Sequence, residues 1–131
     1  MEGKVLYKDL SFKIVGLLFE VHGKLGRYRN EKQYADYFEE ILKRENIKFD
    51  REYRFDDVRY GGEKIRCICD FIIEQAIILE FKAKDFIGKD EYFQVKRYLA
   101  SLNLELAIIV NFRQPRIAPK RILNSNYYRK I

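Results

Sequence analysis

Asp70-Phe71-Ile72-Ile73-Glu74-Gln75-Ala76-Ile77-Ile78-Leu79-Glu80-Phe81-Lys82 has the pattern of two short apolar β-strands joined by a tight polar turn at Glu74-Gln75. Three charged residues, Asp70, Glu80 and Lys82, interrupt strands otherwise fit for a core. Glu80 and Lys82 are two apart, so on a strand they point to the same face. Asp70 joins that face if the hairpin pairs in register, which brings two carboxylates and one ammonium to its edge. Burying such a group without partners is expensive. A hard divalent cation is the natural partner of two carboxylates, and a lysine beside it suits developing negative charge.

Upstream of this hairpin, Leu10, Ile14, Leu17, Leu18, Val21 and Leu25 recur at helical spacing and predict a first helix over about 8–25, with Asp9 or Ser11 as N-cap. Gly23 and Gly26 bracket its end. A second helix is expected over about 30–45, with Tyr34, Tyr37, Phe38, Ile41 and Leu42 inward. Glu31 falls in its first turn after Asn30, where the helix macrodipole favours an acid and Asn is a good cap. From spacing alone that structural role is the preferred one. A strand over about 47–55 follows, then turn chemistry at Tyr60-Gly61-Gly62-Glu63 and the strands of the hairpin at about 64–73 and 76–84.

Downstream, Phe93, Val95, Tyr98, Leu99 and Leu102 predict a helix over about 91–103, which places Gln94 and Tyr98 one turn apart. The continuous apolar run from Leu104 to Val110 fits a buried strand ending at Asn111-Phe112. The order is α-α-β-β-β-α-β, an α/β layout whose mixed sheet is flanked by helices and whose last strand runs parallel to a neighbour after a helical crossover.

A chain of 131 residues suits one domain, here 1–131, and buries about two-thirds of its unfolded surface. Its 47% apolar and 35% charged content is that of a packed, soluble domain rather than a disordered chain. No apolar run approaches the roughly 18 residues of a membrane span. The start, Met1-Glu2-Gly3-Lys4, lacks a signal-peptide pattern, so a cytoplasmic location is expected. Cys67 and Cys69, one residue apart, suit neither a common zinc pair nor a disulfide framework and are expected as small buried strand residues in a reducing compartment.

The net charge of +6 has an uneven source, because 113–131 carries Arg113, Arg116, Lys120, Arg121, Arg129 and Lys130 and no acid. The body is neutral and this C-terminal segment is basic. With Tyr127 and Tyr128 it suits phosphates and exposed bases; a frayed, solvated terminus is the other reading.

Taken together, Asp70 followed by Glu80-Phe81-Lys82 in this order of elements resembles the PD-(D/E)XK nuclease superfamily, with its restriction-endonuclease-like core. Within it the chain is similar to the small proteins called GxxExxY, on Tyr7-Lys8-Asp9-Leu10-Ser11, Phe19-Glu20-Val21-His22, Leu25-Gly26, Glu31-Lys32-Gln33-Tyr34, Glu80-Phe81-Lys82 and Val110-Asn111-Phe112. The resemblance implies that Asp70, Glu80 and the Phe81 carbonyl ligate Mg²⁺, with Mn²⁺ as a substitute, and that Lys82 orients or activates water and stabilises charge on the phosphate. It gives Glu31 a part in the metal site and sets Gln94 and Tyr98 as a Q-x-x-x-Y pair near it. Tyr98 as a core residue and Gln94 as an ordinary helix-surface polar residue is the competing reading of that pair. Two departures stand out: Tyr28 occupies the position of the family glycine before Glu31, and Cys69 replaces the proline of the superfamily name. His22, the only histidine, matches one of the family pattern and is more often a hydrogen-bonded structural residue than a base.

The implied activity is metal-dependent hydrolysis of DNA phosphodiester bonds, by a homodimer where both strands of a duplex are cut. The alternatives are a nucleic-acid-binding or protein-interaction module without turnover, and a structural ion-pair network of Asp70, Glu80 and Lys82.

Overall fold

Apolar residues at period 3.6 build two N-terminal helices, α1 (Glu2–Leu25) and α2 (Glu31–Arg44), and period-2 stretches build the sheet behind them. The computed structural model describes residues 2–58 and 61–127, with side chains from Tyr7 onward. Tyr60 of the expected turn, and Tyr128, Arg129 and Lys130 of the basic segment, lie outside the described residues. After α2 come β1 (Phe49–Val58), β2 (Lys64–Ile73), β3 (Ile77–Lys82), α3 (Lys89–Leu102), β4 (Leu106–Asn111) and β5 (Lys120–Leu123). The expected order of elements holds, and a fifth strand is added to it.

The sheet has the order β1-β2-β3-β4-β5, antiparallel throughout except for the parallel β3–β4 pair that the α3 crossover joins. Ile73 pairs with Ile77, so Glu74, Gln75 and Ala76 connect β2 to β3; Glu74 and Gln75 have φ of 52° and 55°, the left-handed pair that turns the chain, and the Ala76 amide donates to the Ile73 carbonyl at 2.9 Å. Helices cover both faces. Phe71, Ile73, Ile77, Leu79, Phe81, Ile108 and Val110 pack against α1 and α2, while Ile72, Ile78, Ala107 and Ile109 pack against Val95, Tyr98 and Leu99 of α3.

Local chemistry explains the ends. The Asn30 side chain accepts from the Gln33 amide at 2.8 Å and Gln33 Oε1 accepts from the Asn30 amide at 3.0 Å, a capping box that starts α2 where the sequence placed it. The first helix differs from its expected start: it runs from Glu2, so neither Asp9 nor Ser11 caps it. Ser11 instead faces inward, is 2% exposed and accepts from Arg121 Nε at 2.8 Å. Phe93 points to solvent rather than inward, because Val95, Tyr98 and Leu99 already fill the inner stripe of α3.

The basic C-terminal segment is not simply a frayed end. Lys120 to Leu123 pair with β4, and Ile117 and Ile122 are buried, so apolar burial holds part of it in the fold. Cys67 and Cys69 are buried and not disulfide-bonded, as expected of small strand residues. Among the described residues no helix is long and apolar enough to cross a membrane.

Candidate active site at the fork of the sheet

β2 and β3 pair over only three residue pairs, from Ile73↔Ile77 to Phe71↔Leu79. Beyond that point β2 continues against β1 alone, and β3 continues against β4 as far as Lys82↔Asn111. Asp70 and Glu80 stand where the strands part. Backbone groups that a continuous ladder would pair are taken up by carboxylates: the Phe81 amide donates to Asp70 Oδ2 at 2.8 Å, and the Asp70 amide donates to Glu80 Oε1 at 3.1 Å. On its other side Asp70 has lost its ladder partner as well, since the β1 register passes from Arg51↔Phe71 to Tyr53↔Cys69 and the intervening Glu52 has φ 54°. A non-glycine residue there is strained, and such strain concentrates at functional sites.

Burial makes the charges costly. Glu80 is 4% exposed, and desolvation, with the charge of Asp70 next, pushes its carboxyl up to about 8. Asp70 is also raised, first by desolvation, against the pull of the Phe81 amide and of Lys82. The Glu31 carboxyl, although its side chain is largely exposed, is raised by desolvation; Lys82 opposes this and Asp70 adds to it. Asp70 and Lys82 therefore act electrostatically on both Glu31 and Glu80. Glu31, Asp70 and Phe81 also line one cavity of about 210 Å³ with Lys32, Ala35, Arg51 and Glu52.

The sequence-derived set is thus brought together in part. Asp70, Glu80, Phe81 and Lys82 lie at the fork; Glu31 at the start of α2 shares the cavity with Asp70 and Phe81 and senses the charge of Lys82, while Glu80 and Lys82 do not line that cavity. Gln94 does not line that cavity; it is half-buried on α3. Tyr98 is a core residue with its ring edge-on to Phe55, and burial, with the nearby Glu80 charge, pushes its hydroxyl up to about 12. His22 has a structural setting, Nε2 lying 2.9 Å from the Gln114 carbonyl oxygen and the ring stacking on Phe112.

Two residues were missed. Glu52 reaches the site only because β1 is distorted opposite Asp70, which nothing in its local sequence announces. Asn111 is 3% exposed; its Nδ2 donates to the Lys84 carbonyl at 2.7 Å and its Oδ1 accepts from the Lys84 and Arg113 amides, each at 3.2 Å. It clamps the chain just after Lys82. A polar residue ending an apolar strand run was the available signal.

Residues 8–122 match the family model of the PD-(D/E)XK nuclease superfamily. The chain belongs to that superfamily. The solved structure of SSO0001 resembles this PD-(D/E)XK chain with a TM-score of 0.57 and 26% identity, over 70% of this chain and 48% of that one. This chain therefore spans about half the length of that protein. No curated protein matches it. The five-stranded mixed sheet with flanking helices is the restriction-endonuclease-like fold of the superfamily.

Nucleases of this superfamily use divalent metals, and the donor chemistry here fits one. Asp70, Glu80 and Glu31 offer hard oxygen atoms, and burial, the first cause that raises each carboxyl, disfavours their charge unless a cation is there to offset it. Among the described residues, no three His, Cys, Asp or Glu side chains form a ready-made ligand cluster.

Proposed function

We propose that this PD-(D/E)XK protein is a metal-dependent nuclease that hydrolyses DNA phosphodiester bonds. The observation that carries the reading is the placement of two carboxyls, Asp70 and Glu80, at the point where β2 and β3 part, with Lys82 two residues further along β3. In this reading Asp70, Glu80 and the Phe81 carbonyl hold Mg²⁺, or Mn²⁺ in its place, and Glu31 completes the site directly or through water. Such a cation lowers the pKa of a bound water and polarises the scissile phosphate.

The chain's own groups do the rest. Lys82 shares the face of Glu80 by strand alternation, and its ammonium orients the attacking water and stabilises charge building on the phosphate. In this reading Gln94, half-buried on α3, contacts the substrate near the site. Within the superfamily we read the chain, on its motifs from Tyr7 to Phe112, as one of the GxxExxY proteins, a cytoplasmic enzyme that acts as a homodimer where both strands of a duplex are cut.

Incubating labelled single-stranded, duplex and branched DNA with Mg²⁺ or Mn²⁺ tests the reading. Cleavage by the wild type that Asp70→Ala and Lys82→Ala abolish is expected; no cleavage of any form, or equal cleavage by the variants, overturns it. One observation favours a binding module without turnover instead, namely the basic C-terminal segment with Arg113, Arg116, Lys120 and Arg121 and no acid. Salt-dependent DNA binding with no cleavage by the wild type selects that alternative.

A further inference from the structure

Tyr28 is the exposed residue that stands where the related family pattern has glycine, and it is 77% exposed in a loop that is otherwise tightly held. The loop closes α1 through the Gly26 amide on the His22 carbonyl at 2.8 Å, with Gly26 at φ 76°. Buried Tyr34 then pins it from below, its hydroxyl donating to the Gly26 carbonyl at 2.6 Å and accepting from the Arg29 amide at 3.2 Å. The ring of Tyr28 is therefore presented to solvent by a fixed backbone.

Two arginines flank that ring. The Arg27 guanidinium lies 5.0 Å and the Arg113 guanidinium 5.9 Å from its centroid. They are fixed by a reciprocal pair of bonds, Arg27 Nε donating to the Arg113 carbonyl at 2.8 Å and Arg113 Nε to the Arg27 carbonyl at 2.8 Å. Arg44 and Arg51 are paired with carboxylates, whereas Arg27 and Arg113 have only carbonyl partners among the described residues. A carbonyl orients a guanidinium without neutralising it, so two positive charges remain beside an exposed aromatic face.

The location ties this group to the fork. Tyr28 precedes Glu31 by three residues, and the Arg113 amide donates to Asn111, the register partner of Lys82. We propose that Tyr28, framed by Arg27 and Arg113, is a stacking platform for an unpaired base of a nucleic-acid strand whose phosphate lies at the Asp70–Lys82 site. The aromatic face takes the base and the two guanidiniums take the adjoining phosphates. The inference rests on the nucleic-acid reading above and narrows it to substrates with a single-stranded segment, such as an overhang or a flap.

Binding measured by fluorescence anisotropy in EDTA separates this from catalysis. With an end-labelled oligo-dT strand, Tyr28→Ala is expected to weaken binding about tenfold while Tyr28→Phe retains it, because a phenyl ring also stacks. A strand carrying 2-aminopurine should be quenched by the wild type and by Tyr28→Phe, and not by Tyr28→Ala. Unchanged melting temperatures for both variants show that the effect is not one of folding. The proposal is overturned if the wild type fails to bind the strand, if Tyr28→Ala binds as the wild type does, or if Tyr28→Ala weakens blunt duplex binding equally. Tyr28-dependent binding without cleavage would leave the platform standing and remove the nuclease reading; cleavage unaffected by Tyr28→Ala, with binding unchanged, would do the reverse.

Discussion

The backbone amide of Asp70 donates to Glu80 Oε1 at 3.1 Å, so a donor that an unbroken sheet would spend on a carbonyl is aimed at a carboxylate. The fork in the sheet and the acidity of the site are thereby the same feature. Opening the ladder supplies room for two carboxylates, and the carboxylates supply acceptors for the amides that the opening strands.

That arrangement predicts how metal-free stability follows pH. Glu80 has a folded pKa of about 8 against an ordinary 4.5, so between those values the folded state binds more protons than the unfolded one. Stability therefore falls as pH rises through this window, by up to about 1.4 kcal/mol per pH unit for one proton. Glu80→Gln should flatten the dependence and raise the melting temperature at pH 8. Melting curves in EDTA from pH 5 to pH 9 check this; a wild-type melting temperature that rises towards pH 8 would contradict it.

Divalent cation should reverse that loss. On the proposed ligation by Asp70 and Glu80 both must ionise to hold the cation, so Mn²⁺ is expected to raise the melting temperature more at high pH than at low pH, and to release protons as it binds. At a hundredfold excess over Kd the gain is about 2.7 kcal/mol. Asp70→Asn should lose most of the gain, as read by calorimetry in two buffers of different ionisation enthalpy.

Lys82→Ala should lower cleavage about 10²–10³-fold, the scale of losing one preorganised charge partner in a transition state. Binding of uncut DNA in Ca²⁺ should change little, because one cation among many contributes weakly to affinity. A parallel loss of binding and cleavage would make Lys82 a docking residue instead.

Asn111→Ala removes a buried amide and leaves the Lys84 backbone groups without their partner. A cost of about 1–3 kcal/mol in denaturant unfolding is expected. Cleavage should fall beyond what the lost stability explains, since Asn111 holds the segment that follows Lys82. Assaying the variant well below its melting temperature separates the two effects.

Ile122 on β5 is 7% exposed, and Ile122→Ala should cost about 2–4 kcal/mol. Deleting 113–131 should for the same reason unfold the domain rather than merely remove a basic tail. Guanidinium titrations of both variants give the comparison.

Much was legible in the chain because it is local. The Glu74-Gln75 turn, the Asn30 cap and the apolar periods of α2, β2 and β3 depend on neighbours a few residues apart, and each was placed close to where it stands. The charged residues on apolar strands were likewise legible, and Asp70, Glu80 and Lys82 stand together where β2 and β3 part. β5 escaped notice because four residues with one buried side chain carry no strand pattern of their own; pairing to β4 makes them a strand. The same is true of Ser11, a capping residue by type that becomes interior because Arg121, 110 positions away, donates to it.

By itself the sequence determined the order of elements, most of the apolar faces they bury and which charged residues interrupt apolar strands, since propensity and periodicity act within a few residues. Only the tertiary structure decided that β2 and β3 part at Asp70, that Glu52 enters the cavity while Gln94 stays outside it, and that Arg113 closes over Tyr28. Those are relations between strands and loops distant in the chain. Their energies come from ladder pairing, desolvation and charge, which act through space and leave no periodic trace along the chain.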